Sequence, residues 1–169
     1  MKYYKIFNEE DNHNGFQYRD GLNIDDKKFN NNHLKSCVEG GFYYSDADNI
    51  CAFLSYGNYI REVELPDGAK QVKDPDGNKW RSDKLFLHER KDLSKIETWQ
   101  WMIDQGINIH AYNDKALRWV SDNGHIDVVK FLVENGADIH ALDDYALRWA
   151  SLNGHSDVVK FLTPRMIDK

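Results

Sequence analysis

Four of the seven histidines fall into two pairs thirty residues apart, His110 with His140 and His125 with His155, which makes them the first residues to weigh as metal ligands. A zinc site needs a converging, closed set of ligands, commonly including thiolates. Both cysteines, Cys37 and Cys51, lie far upstream. The histidines are therefore read as framework residues, and no metal and no cofactor is expected. Two cysteines are too few for a disulfide scaffold in a chain of this size, so both are expected as reduced thiols. Asp74-Pro75-Asp76-Gly77-Asn78 spaces oxygens in the manner of a calcium loop, but the later bidentate glutamate is missing and a turn is the simpler reading. No glycine-rich phosphate loop, nucleophile elbow or cysteine–histidine signature is present.

The spacing of those histidines belongs to a longer pattern. AYNDKALRWVSDNGHIDVVKFL, from Ala111, repeats as ALDDYALRWASLNGHSDVVKFL, from Ala141, with Leu117 matching Leu147, Trp119 matching Trp149 and Gly124 matching Gly154. Upstream, KIETWQWMIDQGINIHA, from Lys95, aligns with HIDVVKFLVENGADIHA, from His125, at the same offset. The chain thus holds two and a half units, at 93–109, 110–139 and 140–169, and the half-unit keeps only a second helix. Each full unit reads as two helices. Asp114 (or Asn113) is placed to cap the first, whose apolar positions recur at helical spacing until Gly124. The second carries Ile126, Val129, Leu132 and Val133 and stops at Asn135-Gly136. Pro164 ends the last unit.

NGHIDVVKFLVENGADI, from Asn123, resembles the ankyrin consensus, in which Gly-His, paired valines, paired leucines and Gly-Ala-Asp follow in this order. The period is three residues shorter than the usual ankyrin repeat, and Lys115-Ala116-Leu117-Arg118 stands where Thr-Pro-Leu-His is customary. Both features resemble the ankyrin-repeat proteins of giant, mimivirus-type viruses. The shortening leaves little room for the long β-hairpin fingers of the wider family. The resemblance implies that His125 and His155 fix helix turns by hydrogen bonding and that Trp119 and Trp149 stack between neighbouring helices. It also implies a non-catalytic protein-binding module. Positions that vary between units on a constant framework are the candidate partner-binding residues: Tyr112, Lys115, Asp122 and Asn123, with their counterparts Leu142, Tyr145, Leu152 and Asn153.

Before about residue 90 the helical period disappears. YYKIF (from Tyr3), GFYYS (from Gly41), YIREVEL (from Tyr59) and KLFLHE (from Lys84) read as short strands separated by turn signals such as Asn14-Gly15 and Pro66-Asp67-Gly68. One helix is expected over Ser45 to Leu54, with Ser45 as its cap and Ile50, Phe53 and Leu54 inward. The fold class is α+β: a small β-rich N-terminal domain (1–92) packed as a cap against a short ankyrin-type array (93–169). The order of these segments resembles the N-terminal module of the same viral family. A second resemblance is to ADP-ribosyltransferase-like folds, carried by His13, Tyr43, Ser45 and Glu62 or Glu64. There an aromatic ring stacks on nicotinamide while the polar groups hold the ribose and orient the nucleophile. Each residue also has a plain structural reading, with His13 in a polar loop, Tyr43 in a strand, Ser45 at a helix start and the glutamates on a wet strand face.

Composition bounds the rest. The 169 residues are 41% hydrophobic and 30% charged with a net charge of −6, enough to bury a core and a poor match to a nucleic-acid binder. No apolar run reaches a membrane span and the N-terminus shows no secretory pattern, so an intracellular protein is expected, in the host cytoplasm if viral. Two and a half units are marginal alone. Leu85 and Leu87, with Trp99 and Trp101, are expected to join the array to its cap. Val158, Phe161 and Leu162 have no following repeat to cover them, so the tail is expected to fold back over them through Met166 and Ile167, with a second chain as the alternative cover. The partner is expected to be a host or viral protein, not nucleic acid or membrane. A monomer is expected, with a homodimer through the C-terminal repeat as the alternative.

Overall fold

The computed structural model describes residues 1–166 and divides into two units, Met1–Asp92 and the residues from Leu93 onward. The first unit holds ten short strands in chain order: β1 (Tyr3–Phe7), β2 (Asn12–His13), β3 (Phe16–Gln17), β4 (Gly21–Ile24), β5 (Phe42–Asp46), β6 (Tyr59–Glu64), β7 (Gln71–Lys73), β8 (Trp80–Ser82), β9 (Lys84–Leu87) and β10 (Lys91–Asp92). The main sheet runs β4-β9-β6-β1-β5-β8-β7, with β10 also on β6, while β2 and β3 form a separate hairpin across the Asn14-Gly15 turn. All pairings are antiparallel, although most join strands distant in sequence. β1 is central, and Tyr4, Lys5, Ile6 and Phe7 are all buried.

The aromatic surplus of the sequence builds this unit's core. Phe7, Tyr18, Phe42, Tyr44, Trp80, Leu85 and Leu87 gather in one cluster. Its rings meet edge to face, with Phe7 and Tyr18 5.1 Å apart and Tyr3 and Tyr44 5.0 Å apart, the arrangement that ring quadrupoles favour. Two buried guanidinium groups hold the long loops. Arg81, wholly buried on β8, donates to the carbonyls of Asn30 (2.9 Å), Asn32 and Lys35 (3.2 Å). Arg61 on β6 binds Asp11 (2.8 Å), Asp20 and the carbonyl of His88 (3.0 Å). The planar, five-donor fork suits such multiple capture, which lets segments without regular structure keep one conformation.

The helix expected over Ser45 to Leu54 is not formed as such. Ser45 lies inside β5, where its hydroxyl donates to the carbonyl of Asn78 at 2.6 Å, and it caps nothing. A 3-10 helix follows instead at Ile50–Tyr56, burying Ile50, Cys51 and Leu54 while Phe53 is half-buried. Pairing of β5 with both β1 and β8 overrides the local capping signal. No disulfide joins exposed Cys37 to buried Cys51.

The second unit is α-helical: α1 (Ile96–Asp104), α2 (Ala111–Asp122), α3 (Ile126–Glu134), α4 (Ala141–Leu152) and α5 (Ser156–Leu162), then a 3-10 turn at Thr163–Met166. α2 packs on α3 and α4 on α5. Across units α2 stacks on α4, and α1, α3 and α5 form a second layer. The half-unit thus supplies an outer-layer helix. Leu117, Val120, Val128, Val129, Leu132, Val158 and Leu162 are buried between the layers, each contributing roughly 1.5–3 kcal/mol. Trp99 is wholly buried, its indole donating to the carbonyl of Leu93 at 2.8 Å.

At the far end the three apolar positions divide. Val158 and Leu162 are fully buried, because their i, i+4 spacing turns both toward the other helices. Phe161 is half-buried, with the Arg165 guanidinium 3.7 Å from its ring centroid. Exposed apolar residues of the last unit lie on α4: Leu142, Trp149 and Leu152. The expected fold-back rests on the side chains of Met166 and Ile167, which lie outside the described residues.

Gly124 and Gly154 end α2 and α4 in the left-handed region, at φ of +73° and +76°. Their surroundings differ. A Cβ on Gly124 would stand 2.4 Å from the His155 ring, whereas one on Gly154 meets nothing within 4 Å. Gly154→Ala is expected to cost only the left-handed backbone penalty, about 1–2 kcal/mol. Gly124→Ala adds the displacement of His155, so its thermal midpoint should fall below that of Gly154→Ala. Equal midpoints would show that the His155 ring does not lock the repeats.

Candidate functional site

The shortened loop between units is closed by an unusual turn. Tyr112, Asn113 and Asp114 all adopt left-handed backbone (φ +61°, +56° and +48°), and Leu142, Asp143 and Asp144 repeat it (φ +53°, +56° and +57°). Three such L-residues in succession are strained, least so where Asn or Asp occurs. Each turn is stapled. His110 Nδ1 donates to the Asp114 carboxylate at 2.7 Å, and His140 does the same to Asp144 at 2.7 Å. Arg118 donates to the carbonyls of Tyr112 (2.8 Å) and Asn113 (3.0 Å), and Arg148 to that of Leu142 (3.0 Å). Asp114 also accepts the backbone N–H of Asp138 at 3.0 Å, which ties one unit to the loop leading into the next. The carboxylate expected as a cap thus acts as a staple.

The eight residues singled out from sequence divide into two groups at opposite ends of α2 and α4. Tyr112, Lys115, Leu142 and Tyr145 lie at the stapled turns. Asp122, Asn123, Leu152 and Asn153 lie at the helix C-termini, about 10 Å away at the rise of an α-helix. At the turn end, Tyr112 and Leu142 are 40% and 48% exposed. The Arg118 guanidinium lies over the Tyr145 ring (5.1 Å), and Tyr145 stacks on Trp149 (5.3 Å, 30°). At the other end, Asn153 donates to the Asp122 carboxylate at 2.7 Å, and His155 Nε2 donates to the Asp122 carbonyl at 2.9 Å. Asp122 and Asn153 are thus occupied in joining units, while Leu152 is 74% exposed. The expected stacking of Trp119 and Trp149 between helices needs correction. Trp119 is half-buried beside His125, and Trp149 is 38% exposed on the outer surface of α4.

The first unit carries a cleft of about 880 Å³. His13, Tyr43 and Ser45 all line it. Glu62 and Glu64 do not: Glu62 acts on the Tyr4 hydroxyl, which burial and this carboxylate push up to about 12, and Glu64 pairs with His88 at 3.2 Å. Tyr43 binds Val38 (2.8 Å) and Arg81 (3.2 Å) through its hydroxyl, and the Ser45 hydroxyl is held by Asn78. The cleft also contains Lys5, which sequence reasoning passed over. Lys5 is buried on β1, its ammonium donating to the Tyr43 carbonyl at 2.8 Å and lying 5.5 and 5.2 Å from the Phe7 and Tyr18 ring centroids. Burial lowers its amine to about 7. Burial, and then the Lys5 charge, lower His13 to about 4, so the imidazole is neutral at physiological pH. The signal that was available is a single lysine inside the otherwise apolar strand YYKIF.

A family profile described as "Ankyrin repeats (many copies)" matches residues 114–163. An ankyrin repeat protein of Acanthamoeba polyphaga mimivirus is 38% identical over 75% of this chain and 64% of its own length, and a second from the same virus is 42% identical over 75% of this chain and 39% of its own. An uncharacterized protein of that virus is 33% identical over 75% of this chain and 94% of its own length. The chain belongs to the mimivirus-type ankyrin-repeat family. It spans 64% and 39% of the length of the two ankyrin-named relatives. No solved structure matches it.

Within this ankyrin framework the paired histidines have structural partners, and among the described residues no group of three His, Cys, Asp or Glu side chains is placed to hold a metal. No helix among those residues is long and apolar enough to cross a membrane. Two expectations follow. Asp114 is buried and joins His110 to Asp138, whereas the Asp144 side chain is 45% exposed. Asp114→Ala should therefore lower stability by about 2 kcal/mol and Asp144→Ala by less, as read from urea midpoints. Lys5 is depressed in the folded state, so from about pH 7 up to the ordinary lysine range the unfolded chain holds a proton that the folded chain lacks. Stability contributed at this residue rises with pH across that window. Wild type should gain on Lys5→Met in urea denaturation between pH 7.5 and pH 10, and a constant difference between them would contradict the burial of the amine.

Proposed function

We propose that the ankyrin unit is a non-catalytic protein-interaction module and that its partner, a host or viral protein, docks on the turn end of α2 and α4. Ankyrin repeats and ankyrin-repeat relatives support the interaction role. The observation that carries the choice of face is the pair of stapled left-handed turns, which hold Tyr112 and Leu142 outward at equivalent places in successive units. Rigid exposed apolar side chains lose little conformational freedom on binding, and aromatic residues with arginine are the usual anchors of interfaces. Arg118 on α2 lies over Tyr145, which stacks on Trp149, so the surface continues from α2 onto α4. Asp122, Asn123, Leu152 and Asn153 form a second candidate patch at the far helix ends. The action is placed inside the infected cell, on a chain working as a monomer.

The test uses Tyr112→Asn combined with Leu142→Asn in the full chain. Asparagine tolerates left-handed backbone, so the thermal midpoint should hold or rise. Capture of the partner from a lysate of mimivirus-infected Acanthamoeba, identified by mass spectrometry, should fall at least tenfold. Undiminished capture by a folded double variant would remove this face from the reading.

A further inference from the structure

The cleft of the β-rich unit has a chemical asymmetry that the repeats do not explain. The other cations on its wall are matched, Lys27 with Glu39 at 3.3 Å and Lys79 with Asp76 at 3.0 Å, while the Asp25 carboxylate accepts the N–H of Gly41 at 2.7 Å. Lys5 is the exception. Its ammonium has one hydrogen bond, to a neutral carbonyl, and two ring faces, with no carboxylate among the described residues in ion-pair reach. A buried ammonium without a counter-charge is costly, and a structural role would be served as well by methionine. His13 is the second group left over. It lines the same cleft with its ring 5.8 Å from that of Tyr56, and its nitrogens have no hydrogen-bond partner among the described residues.

The remaining walls are largely aromatic, with Phe16, Phe42, Phe53 and Tyr56 joining Phe7 and Tyr18. A volume of about 880 Å³ falls in the range of small-molecule sites, which are typically apolar with a few convergent polar groups. We propose that this unit binds a small aromatic carboxylate, whose anionic head pairs with Lys5 and accepts a hydrogen bond from His13 while its ring lies among the aromatic walls. Lys27 and Lys79 are already paired to carboxylates, so Lys5 is the lining cation that selects, and its one charge matches a monoanion. A phosphate monoester, with close to two charges at neutral pH, would bring a second negative charge that neutral His13 cannot balance. Burial lowers the Lys5 amine to about 7, and an arriving carboxylate stabilises its protonated form where solvent screening is weak.

The probe is 2-naphthoate, titrated into the full chain by isothermal calorimetry at pH 7, with naphthalene-2-carboxamide as its uncharged counterpart and inorganic phosphate as the bare anion. Saturable one-to-one binding of naphthoate is expected, at least tenfold tighter than the carboxamide, with phosphate weaker than both. Lys5→Met, checked for folding by circular dichroism, should abolish the preference for naphthoate over the carboxamide. His13→Phe keeps an aromatic ring at this half-buried position on β2 and should weaken naphthoate several-fold, which keeps the proposal testable if Lys5→Met does not fold. Absence of saturable naphthoate binding, equal affinity for naphthoate and carboxamide, or unchanged affinity in either folded variant would overturn it.

Discussion

Three residues of left-handed backbone between successive ankyrin units constrain everything else in the helical part. A repeat shortened to thirty residues has too little chain for a hairpin finger, and the path from α3 to α4 must reverse within a few peptides. The backbone does so at a cost of ~1–2 kcal/mol for each residue without a short polar side chain, which falls on Tyr112 and Leu142. Hydrogen bonds from Arg118 and Arg148, and the His110–Asp114 and His140–Asp144 pairs, hold the turns in place. Strain kept by surrounding contacts is a common mark of positions that serve a purpose beyond folding. Here the strained residues are also among the exposed large hydrophobic ones.

The staples divide the repeat into fixed and variable positions. His110, Asp114 and Arg118 recur thirty residues later, as do Trp119, Gly124 and His125. Tyr112, Lys115 and Asp122 are replaced by Leu142, Tyr145 and Leu152. His110, Asp114 and Arg118 make the turn or bond across it, while Tyr112 and Leu142 face outward on it. His155 adds a link between units. It reaches back to the Asp122 carbonyl through space that only a glycine at 124 leaves open.

In the β-rich unit, buried cations organise long loops, and they divide by partner. Arg61 and Arg81 each bond several carboxylates or carbonyls, and they hold the segments around residues 11–20 and 30–35. Arg81 stands against Asp74 at 3.5 Å, itself wholly buried, so this pair is structural. Lys5 shares their burial without their partners. That difference separates a group consumed by the fold from one left available for a ligand.

The repeat period, the two-helix units, the lone outer-layer helix of the half-unit and the strands around Tyr3, Phe42, Tyr59 and Lys84 were all written in the sequence, because each depends on spacing along a few residues of chain. Asp114 was legible as important, but its neighbours allow both a cap and a staple, and only the left-handed path of the folded turn selects the second. Trp149 matched Trp119 by period, yet its exposure depends on what lies beside α4, which no local pattern records. Val158 and Leu162 could be placed on a helix but not on a side of it until α3 and α4 were positioned. The Ser45 cap signal was genuine locally and lost to sheet pairing on both edges of β5. Lys5 was one polar residue in a strand, and its meaning came from residues 13, 18 and 43 folding around it. Short-range spacing is encoded directly in the order of side chains, whereas burial, charge pairing and the choice of an outward face are set by distant segments meeting, and those were decided by the tertiary structure.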